Sequence, residues 1–178
     1  MHHAPSLSLP FLPSPPFVFP FDCRYELREN AAAPGQWRGG LGSVREFTYL
    51  ADGGASVEGE GHLHKPWGFS GGKDGACAEL ELEDGMGGTI QMPSKMPYKP
   101  AKAGSKFIAV GPAGGGYGDP LLREPTAVLN DVLDGYITQE SAQVDYGVVI
   151  KHCDEANGLV VDEPATRQAR EGDRAPVS

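Results

Sequence analysis

The chain has 178 residues, enough for one domain with a buried core. Its formal net charge of −9 disfavours nucleic acid or an anionic membrane as a partner. No apolar run approaches the roughly 20 residues that cross a bilayer. The 25 glycines and 16 prolines lie between apolar runs at turn-like positions, which indicates a loop-rich fold. The three cysteines form no C-x-x-C pair, a pattern typical of a reducing compartment, so we expect a cytoplasmic protein.

The first 20 residues differ from the rest because prolines alternate with Phe and Leu. They lack the basic start and the unbroken apolar core of a signal peptide. We therefore expect residues 1–23 to be a disordered or extended leader, residues 24–172 to form one domain, and residues 173–178 to be a tail.

Residues 24–110 predict short strands separated by turns. The clearest pattern is in residues 76–83, where Ala78, Leu80 and Leu82 form an apolar face opposite polar neighbours. Asp52-Gly53-Gly54 predicts a hairpin turn that pairs the strands on either side of it. Further strands are predicted by apolar alternation over residues 24–28, 43–50, 55–61, 89–92 and 106–110.

The period changes to that of a helix at Pro125, which suits a first helical turn. Helices are predicted over residues 125–133, 139–146 and 163–171, with Thr138 as the cap of the second and Gly147 as its end. Two short strands are predicted over residues 148–150 and 158–161. The fold class is therefore α+β: short, mostly antiparallel strands followed by two or three carboxyl-terminal helices.

A glycine loop, GPAGGGYGDP, occupies residues 111–120 between the last predicted strand of the first part and the first helix. It lacks the Lys-Ser/Thr ending of a phosphate-binding loop and the spacing of a dinucleotide fingerprint. Either it connects strand to helix against neighbouring backbone, or it lines an active site or a subunit interface. We predict an ordered, close-packed loop, and its candidate substrate or interface residues are Gly114, Gly115, Gly116, Tyr117, Gly118 and Asp119.

Four charged residues have two interpretations each. Arg38, in a second glycine cluster, could clamp a carboxylate or phosphate, or form an internal ion pair beside a core Trp37. Lys73 and Lys95 could face an anionic intermediate or be solvated turn charges. Asp119 could act on a substrate or cap backbone donors.

His62 and His64 could share a strand face and bind a metal, but exposed loop histidines are the favoured interpretation. No Gly-x-Ser-x-Gly elbow and no zinc spacing is present in the sequence. We therefore predict no metal site and assign no catalytic residue.

An ordered set of motifs resembles the carboxyl-terminal region of the hydantoinase B/5-oxoprolinase family. The resemblance covers roughly residues 24–170, and its motifs are Tyr25-Glu-Leu-Arg, Pro34-Gly-Gln-Trp-Arg-Gly-Gly-Leu-Gly, Pro66-Trp-Gly-Phe-Ser-Gly-Gly-Lys-Asp-Gly-Ala and the glycine loop with its continuation into the helices. The chain departs from the family at residues 29–33, where an acidic-Ser-Gly-Gly turn is replaced by Glu29-Asn-Ala-Ala-Ala.

The resemblance implies a component of an ATP-dependent hydrolase of cyclic amides such as hydantoins or 5-oxoproline. In that chemistry ATP phosphorylates the inert amide oxygen and makes a better electrophile. The implied partners are a hydantoinase A-like subunit and the amino-terminal half of the B-type subunit. ATP and a divalent metal are implied for the complete enzyme, and we expect this chain to bind neither. We expect a carboxyl-terminal fragment that is inactive alone; the alternative is a non-catalytic structural or interaction module.

Overall fold

The computed structural model describes residues 21–153 and 158–173. It has an α+β fold, which confirms the predicted class. The strands are β1 (Phe21–Leu27), β2 (Ser43–Tyr49), β3 (Gly53–Glu58), β4 (Glu79–Glu83), β5 (Thr89–Gln91), β6 (Lys95–Ala101), β7 (Lys106–Val110), β8 (Ile150–Cys153) and β9 (Gly158–Val161). The helices are α1 (Pro125–Leu133), α2 (Gln139–Tyr146) and α3 (Glu163–Asp173). The predicted leader and tail lie almost wholly outside the described residues. Within the described ranges, each helix is too short or too polar to cross a membrane.

A five-stranded antiparallel sheet, in the order β1-β2-β7-β4-β5, forms the first half of the molecule. Phe107 in β7 lies opposite Phe47 of β2 on one side and Leu82 of β4 on the other. Leu80, Leu82 and Phe107 are buried, as the alternation in residues 76–83 predicts, although the strand itself begins at Glu79. This apolar face packs against β6, which contributes Met96 and Ala101 to the same core.

The predicted pairing of β2 with β3 is wrong. Both edges of β2 are occupied, one by β1 and the other by β7. Strand β3 instead pairs with β6 in a separate two-stranded sheet. Strand β6 was not predicted, because Pro97 and Pro100 argue against a strand. Prolines are tolerated there because β6 has a strand neighbour on one edge alone among the described residues.

The helices form a second core with the β8–β9 hairpin. Helix α2 begins where the sequence predicts, because the Thr138 hydroxyl oxygen accepts a hydrogen bond from the Ser141 amide at 3.0 Å. It ends at Gly147, whose φ of 62° lies in the left-handed region. The strand predicted over residues 148–150 is displaced to Ile150–Cys153. The buried residues of this core are Ala32, Leu41, Val128, Ile137, Ala142, Tyr146 and Val148.

Candidate functional site

Three glycine-rich segments, residues 33–42, 66–76 and 111–119, pack together between the two cores. We call them the glycine bundle. Each segment hydrogen-bonds to the other two: Trp37 and Tyr117 exchange both backbone bonds at 2.9 Å, the Phe69 amide donates to the Gly116 carbonyl at 2.9 Å, and the Lys73 amide donates to the Pro34 carbonyl at 2.8 Å. All three segments are therefore mutual neighbours.

The bundle continues the three central strands of the large sheet. Residues 33–42 lead into β2, residues 66–76 lead into β4, and residues 111–119 follow β7. Strands β2 and β4 lie on opposite sides of β7, so they do not touch within the sheet. Their extensions do touch, through Lys73 and Pro34. Beyond the strand ends, therefore, each of the three segments contacts both of the others.

Glycine makes this closure possible because the backbones approach too closely for a side chain. A Cβ placed on Gly115 would lie 2.0 Å from the Trp67 carbonyl oxygen, and one on Gly116 would lie 2.1 Å from that of Pro34. Both distances are far below any van der Waals contact. The prediction of an ordered, close-packed loop is therefore confirmed, and the surface that it meets belongs to this same chain.

Asp119 ends the bundle and begins the helical half. Its carboxylate Oδ1 accepts a hydrogen bond from the Leu121 amide at 2.9 Å and so caps the 3₁₀ turn Pro120–Leu122. Gly118 precedes it with a φ of 76°, a left-handed conformation that favours glycine. Of the two roles predicted for Asp119, capping is the one that its contacts show.

Arg38 forms an internal ion pair. Its Nε donates to Asp131 Oδ1 at 2.9 Å, and Arg123 Nη2 donates to Asp131 Oδ2 at 2.8 Å. Asp131 is buried on α1, and the Arg38 guanidinium also lies 4.8 Å from the centre of the Tyr136 ring. The expectation that Trp37 lies in the core beside this pair is wrong, since Trp37 is exposed. Asp131 lies three residues after the buried Val128 on the same helix. This spacing was the sequence signal that could have revealed it.

Tyr146 lies behind this ion pair, fully buried on α2. Burial raises the pKa of its hydroxyl to about 12. Its hydroxyl oxygen and Arg123 Nε are buried without a hydrogen-bond partner among the described residues. An unpaired buried hydroxyl costs about 1–3 kcal/mol, so Tyr146 is held here by its ring rather than by its oxygen.

Lys73 and Asp145 join the bundle to α2 at a small polar cleft. Lys73 Nζ lies 2.7 Å from Asp145 Oδ1, and the Ser141 hydroxyl donates to Asp145 Oδ2 at 2.7 Å. The cleft has a volume of about 250 Å³. Lys73 therefore has a specific carboxylate partner. Lys95, the other predicted turn lysine, lies on β6 and pairs with Glu60 at 3.0 Å on the surface.

The two histidines differ in their exposure to solvent. His64 is exposed, whereas both ring nitrogens of His62 are buried and lack a hydrogen-bond partner among the described residues. Within the described ranges, no three His, Cys, Asp or Glu side chains form a group that could hold a metal ion. Cys77 and Cys153 form no disulfide bond among the described residues.

Exposed aromatic side chains lie on the outer surface of the bundle. They were not predicted as a group from the sequence. Trp37, Phe69 and Tyr117 come from the three different segments, and the rings of Phe69 and Tyr117 stack with centroids 5.8 Å apart. At least one aromatic residue in each of three glycine-rich segments was the signal available in the sequence.

Comparison with known proteins identifies relatives of this chain. Residues 21–120, which include the whole glycine bundle, match the family described as Hydantoinase B/oxoprolinase. The chain is 54% identical over 133 residues to the B-type subunit of the "Putative D-/L-hydantoinase" of Pseudomonas sp. (strain NS671), a match that covers 74% of this chain and 22% of the relative. It is 34% identical over 156 residues to the beta subunit of the caprolactamase of Pseudomonas jessenii, covering 83% of this chain and 25% of that one.

Two solved structures share the fold. The crystal structure of the ATP-dependent caprolactamase from Pseudomonas jessenii superposes with a TM-score of 0.65 at 31% identity, over 83% of this chain and 25% of that chain. The nucleotide-free acetone carboxylase superposes with a TM-score of 0.72 at 22% identity, over 87% of this chain and 25% of that chain. This chain thus spans about a quarter of the length of the relatives that it matches.

Proposed function

This chain belongs to the hydantoinase B/oxoprolinase family, and from that premise we propose that it is the carboxyl-terminal module of an ATP-dependent cyclic-amide hydrolase. The observation that carries the proposal is the glycine bundle. It is assembled from the motifs that carry the family resemblance, and it lies wholly inside the matched residues. The relatives named as a component of a hydantoinase and as an ATP-dependent caprolactamase support a cyclic amide as the substrate class.

The proposed partners are a hydantoinase A-like subunit and the amino-terminal region of a B-type subunit. The names of two relatives, each a subunit of a larger enzyme, support a multi-subunit assembly. ATP and a divalent metal belong to the complete enzyme in this proposal. Among the described residues no three His, Cys, Asp or Glu side chains form a group that could hold a metal ion, and in this proposal the metal ligands lie in the other parts of the complex. We assign no catalytic step to any described residue.

The contacts of the predicted site residues favour an interface role over substrate binding for residues 114–119. Arg38 is paired with Asp131, and Asp119 is bound to the Leu121 amide. Each side chain therefore has a partner within this chain. The same contacts favour a second candidate function, that of a non-catalytic structural or interaction module of this family.

Reconstitution separates the two candidates. The 178-residue chain is co-expressed with the amino-terminal region of the Pseudomonas sp. relative and with a hydantoinase A-like subunit, and ATP-dependent ring opening of hydantoin and 5-oxoproline is measured. Activity that requires this chain supports the hydrolase module. A complex with equal activity in the presence and absence of the chain supports the interaction module. Absence of any complex contradicts both.

A further inference from the structure

Three of the aromatic rings on the bundle, those of Trp37, Phe69 and Tyr117, share one face, and we call them the aromatic patch. Trp37 and Tyr117 exchange backbone hydrogen bonds as a directly opposed pair, an arrangement that projects both side chains to the same side. Phe69 stacks on Tyr117 with an interplanar angle of 22°. The patch is therefore continuous.

The patch is unusually exposed for side chains of this type. Trp37 is 66% exposed, Phe69 is 63% exposed and Tyr117 is 51% exposed. Trp67, in the same segment as Phe69, is 79% exposed. Aromatic side chains of this size each bury about 150–250 Å² in an interface. Contiguous exposed apolar patches larger than a few hundred Å² are rare on soluble monomers and mark interaction sites.

The backbone beneath the patch is held by hydrogen bonds within this chain. All three residues lie in the hydrogen-bonded glycine bundle, where close approach prevents rearrangement. Rigid aromatic anchors lose little conformational entropy on binding, and such residues dominate the binding energy of most protein interfaces.

We infer that the aromatic patch is the docking surface for the amino-terminal region of a hydantoinase B-type subunit. This inference rests on the proposed function. The relatives carry about three quarters of their length outside the region that this chain matches, so each holds a large body of protein on the same polypeptide as this fold. A second copy of this chain is a poorer occupant because each copy carries a net charge of −9.

The first test measures capture of the proposed occupant. The tagged 178-residue chain is co-expressed with the amino-terminal region of the Pseudomonas sp. relative, and the ratio of the two proteins after affinity and size-exclusion chromatography is measured. The triple variant Trp37→Ser, Phe69→Ser, Tyr117→Ser should lower this ratio at least about tenfold. The matched control Leu50→Ser, Met86→Ser, Ile90→Ser removes three comparably exposed apolar side chains outside the patch and should leave the ratio unchanged.

The outcomes are distinct. If the wild-type chain captures no partner, the proposed function fails, and this inference fails with it. If the wild-type chain and the triple variant capture the partner equally, the inference alone is overturned. If the wild-type chain elutes as a dimer that the triple variant loses, while capture is equal, the patch is a self-association surface and the inference is also overturned.

A second measurement needs no variant and guards against misfolding of the triple variant. Hydroxyl-radical footprinting with mass spectrometry compares the free wild-type chain with the purified complex. Trp37, Phe69 and Tyr117 should lose most of their oxidation in the complex, whereas Met86, which is 92% exposed, should keep it. Equal oxidation of the patch in both samples would overturn the inference.

Discussion

Asp131 pairs with two guanidinium groups at once and links the glycine bundle to α1. Arg38 approaches it from the bundle and Arg123 from the segment before α1. All three groups are largely withdrawn from water. Removing one member of a buried ion pair leaves an uncompensated charge, which costs more than the pair contributes.

We predict that Asp131→Asn lowers the free energy of unfolding by about 3–5 kcal/mol. Chemical denaturation followed by circular dichroism measures this change. Asp134→Asn is the matched control, because Asp134 is exposed on the same helix end and should change stability by less than about 0.5 kcal/mol. Similar losses for both variants would show that the ion pair does not stabilise the junction.

We predict that the free energy of unfolding falls at alkaline pH because of Tyr146. Burial raises its pKa from 10.0 to about 12, so the folded chain holds this proton more tightly than the unfolded chain. The resulting stability is complete below pH 10 and is lost as the pH rises through 12. Each pKa unit corresponds to about 1.4 kcal/mol, so the loss reaches about 2–3 kcal/mol.

Tyr146→Phe isolates this effect. The hydroxyl has no described hydrogen-bond partner, so at pH 7 the variant should be at least as stable as the wild type, by up to about 3 kcal/mol. Between pH 10 and pH 12 the variant should become progressively more stable than the wild type, as urea denaturation at each pH would measure. Parallel pH profiles for the two proteins would mean that Tyr146 does not titrate with a raised pKa.

At the scale of elements, the glycine bundle tolerates a side chain at some positions and not at others. We predict that Gly115→Val and Gly116→Val each lower the free energy of unfolding by well over about 1 kcal/mol, because the new Cβ meets backbone carbonyls that cannot move independently. Gly40→Val is the matched control. Gly40 is exposed in the same bundle, and no atom lies within 4 Å of its would-be Cβ. Equal melting temperatures for the three variants would contradict the close packing of residues 114–119.

The elements that local chemistry determines were predictable from the sequence. Helix α2 has a threonine cap and a terminal glycine, and β4 alternates apolar and polar residues, so both were found. Strand β6 was missed because its prolines are acceptable at an open edge, and which edges are open is decided by distant strands. The wrong β2–β3 hairpin has the same origin, since β2 pairs with β7, a strand far away in the sequence.

The candidate site was harder to predict than the elements around it. The glycines of residues 114–119 stood out because of their number, but their partners come from two other segments that only the fold brings near. Arg38 could be singled out, whereas its ion pair with Asp131 joins residues 93 positions apart. Trp37 was expected in the core because tryptophan is usually buried; its exposure follows from the bundle, whose interior has room for backbone alone.

At the scale of the whole molecule, two hydrophobic cores share one connecting structure. The sheet core contains Leu82 and Phe107, and the helical core contains Val128 and Ile137. The three bundle segments connect to β2, β4 and β7 on one side. On the other side they hold α1 through Asp131 and α2 through Asp145. The bundle is therefore the element through which either core can affect the other.

This arrangement predicts different hydrogen-exchange patterns for three variants. Ile137→Ala removes buried volume from the helical core, at a cost of about 2–5 kcal/mol, and should speed amide exchange in α1 and α2 more than in β4 and β7. Leu82→Ala should have the converse effect, because its cavity opens in the sheet core. Gly116→Val strains the bundle itself and should speed exchange on both sides by similar factors.

Hydrogen–deuterium exchange with mass spectrometry resolves all three patterns at peptide level. Uniform acceleration in every variant would mean that the cores unfold as one unit, and acceleration confined to one side in Gly116→Val would mean that the bundle belongs energetically to that core alone.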